Sequence, residues 1–171
     1  MNDKTANAGS GNFTKYARDL DAVTNFYNGA KNGYAWCDIF VDWLFYYTFG
    51  AELAMKMICQ PTKSAGAGCL YSAGYYKSSG RWTTAPAPGH QIFFSYAAGE
   101  VSHTGIVESV TNTQVITIEG NAGDQVLRCR YNKNDPHIYG YGIPRWNYAA
   151  NIPASEIPKN DSILRLNDTG E

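Results

Sequence analysis

With 171 residues, 44% of them hydrophobic and 17% charged, the chain has room for one domain with a real core and not for two full ones. A formal net charge of −1, with no run of Lys and Arg, argues against nucleic-acid binding through a basic footprint. No stretch approaches the ~18 consecutive apolar residues of a membrane span, and the polar residues Met1 to Asn12 lack the charged start and apolar run of a secretory signal. The expectation is a chain made in the cytosol, neither inserted in the membrane nor carried by the general secretory route.

Phe13 to Tyr27 has a helical pattern in Phe13, Tyr16, Ala17, Leu20, Val23 and Tyr27, followed by turns at Asn28-Gly29 and Asn32-Gly33. The strongest periodicity comes next, in Trp36, Ile39, Phe40, Trp43, Leu44 and Tyr47, with Gly50 as a stop. Its wide apolar face predicts a central, well-buried helix. Ala51 to Cys59 and Cys69 to Ser78 predict two further helices around a loop of small residues, and Pro86, Pro88 and Gly89 mark a break. From there the pattern turns to short β-rich runs: Gln91 to Tyr96, Thr104 to Val110, Val115 to Glu119, Gln125 to Tyr131 and Tyr139 to Ile143. Helices first and strands second predict an α+β domain, helices packed on an antiparallel sheet. Trp146 closes it, residues 149–161 read as a linker with two Pro, and no internal repeat is present.

Tyr is abundant, with 13 copies against 7 Phe. Such rings suit peptide or sugar ligands, although half-buried packing with the hydroxyl in water accounts for more of them. None of the four cysteines, Cys37, Cys59, Cys69 and Cys129, lies in a C-x-x-C pair, which argues against structural zinc. The spacing permits a Cys59–Cys69 disulfide, while buried free thiols fit a protein without a signal better.

Cys37 sits near the start of the best helix, where backbone N–H groups and the helix dipole favour a thiolate and offer donors to an oxyanion. Position alone serves a nucleophile and a small core hydrophobe equally. A thiolate nucleophile needs an imidazole partner. Of His90, His103 and His137, His103 begins a strand, which holds a side chain more firmly than the turn-like contexts of the other two. By residue type alone each is an ordinary surface histidine. Glu119 ends the run Val115 to Glu119 and meets His103 if the two strands are neighbours. Taken alone it reads as a solvated strand end. Asn121 is placed to replace or assist it.

The run Tyr34-Ala35-Trp36-Cys37-Asp38-Ile39-Phe40-Val41-Asp42-Trp43 resembles the nucleophile helix of the CHAP family, the cysteine- and histidine-dependent amidohydrolases and peptidases related to NlpC/P60 and papain-like enzymes. Pro88-Gly89-His90-Gln91-Ile92-Phe93-Phe94, His103-Thr104-Gly105-Ile106-Val107 and Ile118-Glu119-Gly120-Asn121 resemble three further blocks of that family, in order, and Tyr139 to Trp146 fits its close. The resemblance covers roughly Phe13 to Trp146, within a catalytic unit of residues 1–148. It implies a papain-like fold, Cys37 as nucleophile, His103 as general base and then acid, Glu119 as the group that orients His103, and Asn121 in support. It implies peptidoglycan as partner and substrate, cut at an amide bond by an amidase or an endopeptidase through a covalent acyl-enzyme. No cofactor or metal is expected. His90 stands where the family commonly has Asp, leaving it a minor rival to His103. Asp19 and Asp21 form a D-x-D far upstream of the nucleophile, without a full oxygen cage, and read as a solvated helix face.

Residues 162–171 resemble the opening of a helical peptidoglycan-binding module, with Asn167 in place of its first Gly. A wall-cutting domain, a linker and a wall-binding module together resemble a phage or prophage endolysin. Such a protein rests in the host cytoplasm and reaches the wall through a membrane hole made by another phage protein. The alternatives to the enzyme are an inert wall-binding module of the same fold, against which the intact Cys37, His103 and Glu119 set argues, and a metal-dependent hydrolase, which the spacing supports poorly. Oligomeric state is not readable from the sequence.

Overall fold

The computed structural model describes residues 11–150 and 152. The tail that resembles a wall-binding module, and all of the linker beyond 152 together with 151, lie outside these residues. Four helices, α1 (Lys15–Asp21), α2 (Cys37–Phe49), α3 (Ala51–Met57) and α4 (Cys69–Ser78), precede six strands: β1 (Trp82–Thr83), β2 (Gln91–Phe94), β3 (His103–Val110), β4 (Gln114–Glu119), β5 (Leu127–Asn132) and β6 (Ile138–Gly142). The strands form one sheet in the order β1-β6-β2-β3-β4-β5, antiparallel at every pairing. This is the α+β, papain-like architecture expected from the order of helical and alternating patterns.

The first helix is shorter than its pattern. Thr14 caps it, its hydroxyl accepting from the Ala17 N–H, but it stops at Asp21 and Asn25 adopts a left-handed φ of 62°. The physical reason lies in Asp21, whose carboxylate accepts the backbone N–H groups of Lys31 at 2.7 Å and Asn32 at 2.9 Å. Asp19 accepts from the Trp43 indole N–H at 3.0 Å. The two carboxylates therefore do not form a solvated helix face. They tie the turn that leads to Cys37, and α1 itself, to the rest of the domain.

Helix α2 is the hub. Every side chain from Cys37 to Trp43 is buried, and Phe45 with them. Trp36 stacks on Tyr16 and Tyr16 meets Trp43 edge-on. At about 1.5–3 kcal/mol per fully buried large apolar side chain, this packing anchors the helix and fixes the place of its first residue.

The sheet packs on α2 through alternate residues. Phe93, Ile106 and Ile118 join the helical core, whereas Ile92, Phe94, Val107 and Val115 form a second cluster with Tyr141, as the period of two requires. Edge strand β5 carries Arg128 and Arg130, charges that discourage strand addition. Trp146, in a final 3-10 turn (Trp146–Tyr148), packs against Phe45 and Phe49 and closes the helical face.

Directly after β4, Gly120 lies flat on α2. A Cβ there would stand 2.6 Å from Cγ of the buried Phe40. Gly120→Ala is expected to destabilise the domain by roughly 1–3 kcal/mol through overpacking, read as a lower denaturation midpoint. An unchanged midpoint would show that the β4–α2 contact is slack.

Candidate active site

Cys37 is the first residue of α2 and is 5% exposed. His103 is the first residue of β3, and Glu119 the last of β4. Because β3 and β4 run antiparallel, the start of one lies beside the end of the other. His103 Nε2 is 2.8 Å from Glu119 Oε2. His103 also interacts with Cys37, each favouring the charged form of the other. The three residues that the sequence proposes, distant from one another along the chain, are thus brought together around His103.

Glu119 is not a solvated strand end: it is 1% exposed. Its Oε2 also accepts from the Tyr131 hydroxyl at 3.2 Å, and its Oε1 from the Thr117 hydroxyl. A buried carboxylate requires such partners to offset lost hydration. It also requires space. At Gly105, a Cβ would lie 2.5 Å from Glu119 Cγ and 2.8 Å from the Ile118 carbonyl oxygen. The glycine of the His-Thr-Gly block is therefore the gap through which Glu119 crosses β3 to reach His103. Asn121 follows in the turn with φ of 59°. It is half-buried, and its side chain makes no hydrogen bond among the described residues.

The other histidines are elsewhere. His90 lies in the turn before β2 against Tyr141, with burial lowering its pKa. His137 is exposed and paired with Asp135.

One partner of Cys37 escapes the sequence reading. Cys69, the first residue of α4, places its Sγ 3.5 Å from that of Cys37. All four cysteines are free. Spacing allows Cys69 to pair with Cys59, but α4 turns it toward Cys37 instead. Asp38 is the cause: its buried carboxylate accepts from the Gly68 N–H and the Ser72 hydroxyl, each at 2.8 Å, and from the Gln91 amide at 3.1 Å. It therefore pins the start of α4 against the start of α2. The signal was present in the sequence, since Cys69 also opens a predicted helix.

The electrostatics follow. The Cys69 thiol, by its hydrogen bond, lowers the Cys37 pKa. Burial opposes this, and His103 and the Asp38 backbone N–H add to it, leaving Cys37 at about 5. Cys69 moves the other way, raised by its bond to Cys37 and by burial, and so remains the protonated donor. Burial works against charge on His103, but the hydrogen bonds and charges of Cys37 and Glu119 outweigh it, and its pKa rises to about 9. Asp38 is pushed up to about 6, chiefly by burial. The resting pair is thiolate and imidazolium.

Tyr34 and Trp36, which lie just before Cys37, divide their roles. Trp36 is core at 1% exposed, and Tyr34 is 66% exposed. Tyr34, with Lys31, Ala35, Ile39, Ala67 and Tyr71, lines a cavity of about 240 Å³ whose walls include none of Cys37, His103 and Glu119. No group of three or more potential metal ligands occurs among the described residues, and no described helix is long and apolar enough to cross a membrane.

The fold and this layout define an α+β domain of papain-like class. The CHAP domain model matches residues 29–121, more than half of the chain, and the chain belongs to the CHAP-domain family. Among curated proteins none matches it. Solved structures that are similar include two of Ly7917. The crystal structure of Ly7917 is 23% identical with a TM-score of 0.32, covering 40% of this chain and 33% of that one. The crystal structure of Ly7917 with the hydrolyzing product of MDP is 22% identical with a TM-score of 0.32, covering 39% and 33%. The chain thus matches about a third of the length of that protein.

Alkylation by iodoacetamide is expected to keep its rate at Cys37 down to about pH 5, while Cys129, raised to about 11 by burial and by the charge of Glu119, stays slow at neutral pH. Gly105→Ala, which displaces Glu119, should shift the Cys37 profile upward in pH. Equal labelling of both cysteines at pH 6, followed by mass spectrometry, would dispose of the ion pair.

Proposed function

We propose that the chain hydrolyses an amide bond of peptidoglycan peptide, with Cys37 as nucleophile, His103 as acid and base, and Glu119 as the residue that holds the imidazole. The observation that carries this reading is an imidazole held at 2.8 Å by a buried carboxylate and interacting with a cysteine at a helix start. In the first step the Cys37 sulfur adds to the scissile carbonyl carbon. The start of α2 offers backbone N–H groups to the oxyanion. His103 then gives its proton to the leaving amine, and a thioester remains on Cys37. Neutral His103 next takes a proton from water as it attacks the thioester. Release of the carboxylic acid restores the thiolate and imidazolium. Glu119 on Nε2 keeps Nδ1 aimed at the sulfur and stabilises the charged ring. In this reading Asn121 serves as a supporting polar group.

We extend the proposal to a lytic setting, in which the chain is part of a phage or prophage endolysin that acts at the wall after release from the host cytoplasm. Its support is the likeness of residues 162–171 to a wall-binding module. Lysis of susceptible cells by protein added from outside, lost with Cys37→Ala, is the expected outcome.

The direct test is a digest of purified Gram-positive peptidoglycan with product masses. Intact stem peptides freed from glycan identify an amidase, and new amino termini within the peptide identify an endopeptidase. Cys37→Ala should abolish either product, and His103→Ala should cost roughly 10²–10⁴ in rate. Persistence of product with Cys37→Ala would sink the mechanism. No product from several wall types would favour the inert binding module.

The pH dependence has a definite sign. Below about 5 the thiolate takes a proton, and above about 9 the imidazolium loses the one destined for the leaving amine. A bell-shaped kcat/KM profile with limbs near those values is expected. A profile rising monotonically to pH 10 would mean that a neutral imidazole generates the thiolate instead.

A further inference from the structure

A low-pKa thiolate with a second thiol beside it has chemistry beyond amide hydrolysis. We propose that Cys37 and Cys69 form a peroxide-sensitive dithiol, in which Cys69 captures oxidised Cys37 as a disulfide and spares it from irreversible oxidation. The inference rests on Cys37 being the reactive thiolate. It takes in the reading of wall cleavage only for its effect on activity.

The geometry is the first argument. The two sulfurs are 3.5 Å apart, and no other sulfur pair is in contact among the described residues. A disulfide needs about 2.05 Å, so about 1.5 Å must be closed, a distance within reach of small side-chain rotations at two helix starts. Those starts are held together by Asp38 through Gly68 and Ser72, so the approach does not depend on a mobile loop. Cys59 follows α3 and Cys129 lies on β5, and neither competes for Cys37.

The chemistry balances. The Cys37 thiolate attacks a peroxide oxygen, breaking the O–O bond; the sulfur becomes a sulfenic acid, and a hydroxide or alkoxide leaves. The Cys69 sulfur then attacks the Cys37 sulfur. The S–O bond breaks, the S–S bond forms, and water departs with the proton that Cys69 gives up. A small dithiol reductant reverses the step by thiol–disulfide exchange. The ordering follows from the electrostatics of the pair. While Cys37 is a thiolate, its hydrogen bond and its charge hold the proton on Cys69. Sulfenic acid is neutral, so both restraints vanish when Cys37 is oxidised. Cys69 is therefore quiet until the event it must answer. The disulfide occupies the Cys37 sulfur and stops catalysis until it is reduced.

The experiment exposes the protein to hydrogen peroxide, alkylates the remaining thiols and maps peptides without reduction. The expected result is a cross-linked peptide joining Cys37 and Cys69, with the intact mass lower by two hydrogens. Wall-lytic activity should vanish with peroxide and return to its starting level with dithiothreitol. In Cys69→Ala and Cys69→Ser, each compared with its own activity before oxidation, the loss should not be recovered, and Cys37 should carry two or three oxygens. Wild-type Cys37 found as sulfinic or sulfonic acid with Cys69 still alkylatable would overturn the proposal, as would a disulfide from Cys37 to Cys59 or Cys129. The wild-type map needs neither a folded variant nor an active enzyme. A cross-link in a protein that cuts no wall would therefore uphold the dithiol and count only against the hydrolase reading.

Discussion

Glu119 is a carboxylate at the end of β4, sealed from water, and the surrounding structure is arranged to accommodate it. Removing one partner of such a buried pair typically costs about 3–5 kcal/mol. Three side chains meet the need: His103, Tyr131 and Thr117. They come from three adjacent strands, so the sheet register is bound to the site. The same carboxylate favours the charged imidazole, and the charged imidazole favours a thiolate at Cys37. The reactive state of the sulfur thus draws on the Cys69 thiol first and on His103 next, the latter supported by a desolvated acid for which Gly105 leaves room.

The second constraint is the buried Asp38, next to Cys37 in sequence but bonded to other segments. It holds α4 on α2 and brings Gln91 of β2 to the same point. Gln91 also donates to the Thr104 hydroxyl, one residue from His103. Helix and sheet therefore approach each other through a polar joint as well as through the aromatic core of Trp36, Tyr16, Phe40 and Phe93. Apolar packing sets the distance between the layers. The polar joint sets their alignment, on which the sulfur–imidazole contact depends.

Much of this was legible in the sequence. Helix α2 and its stop at Gly50 were marked by the spacing of Trp36, Ile39, Phe40 and Trp43, because a buried helix records its face at a period of 3.6. Strands β2 to β6 were marked by β-branched and aromatic runs between turn residues. Helix α1 is shorter than its pattern because Val23 and Tyr27 keep a helical spacing after the helix has ended at Asp21. Two-residue β1 carries too little pattern to be seen. Asp19 and Asp21 looked solvated because their partners, Trp43 and the backbone at Lys31 and Asn32, are distant in sequence.

The sequence by itself determined the class of the domain, the helix that carries Cys37 and the strands that carry His103 and Glu119, since periodicity and turn chemistry are local and a nucleophile block, a histidine block and an acidic block are readable in order. Tertiary structure alone decided that Glu119 is buried rather than solvated, that Gly105 is needed for space, and that Cys69 faces Cys37 rather than Cys59. Burial, clearance and sulfur pairing are properties of surfaces brought together from distant segments, and no window along the chain contains both sides of such a contact.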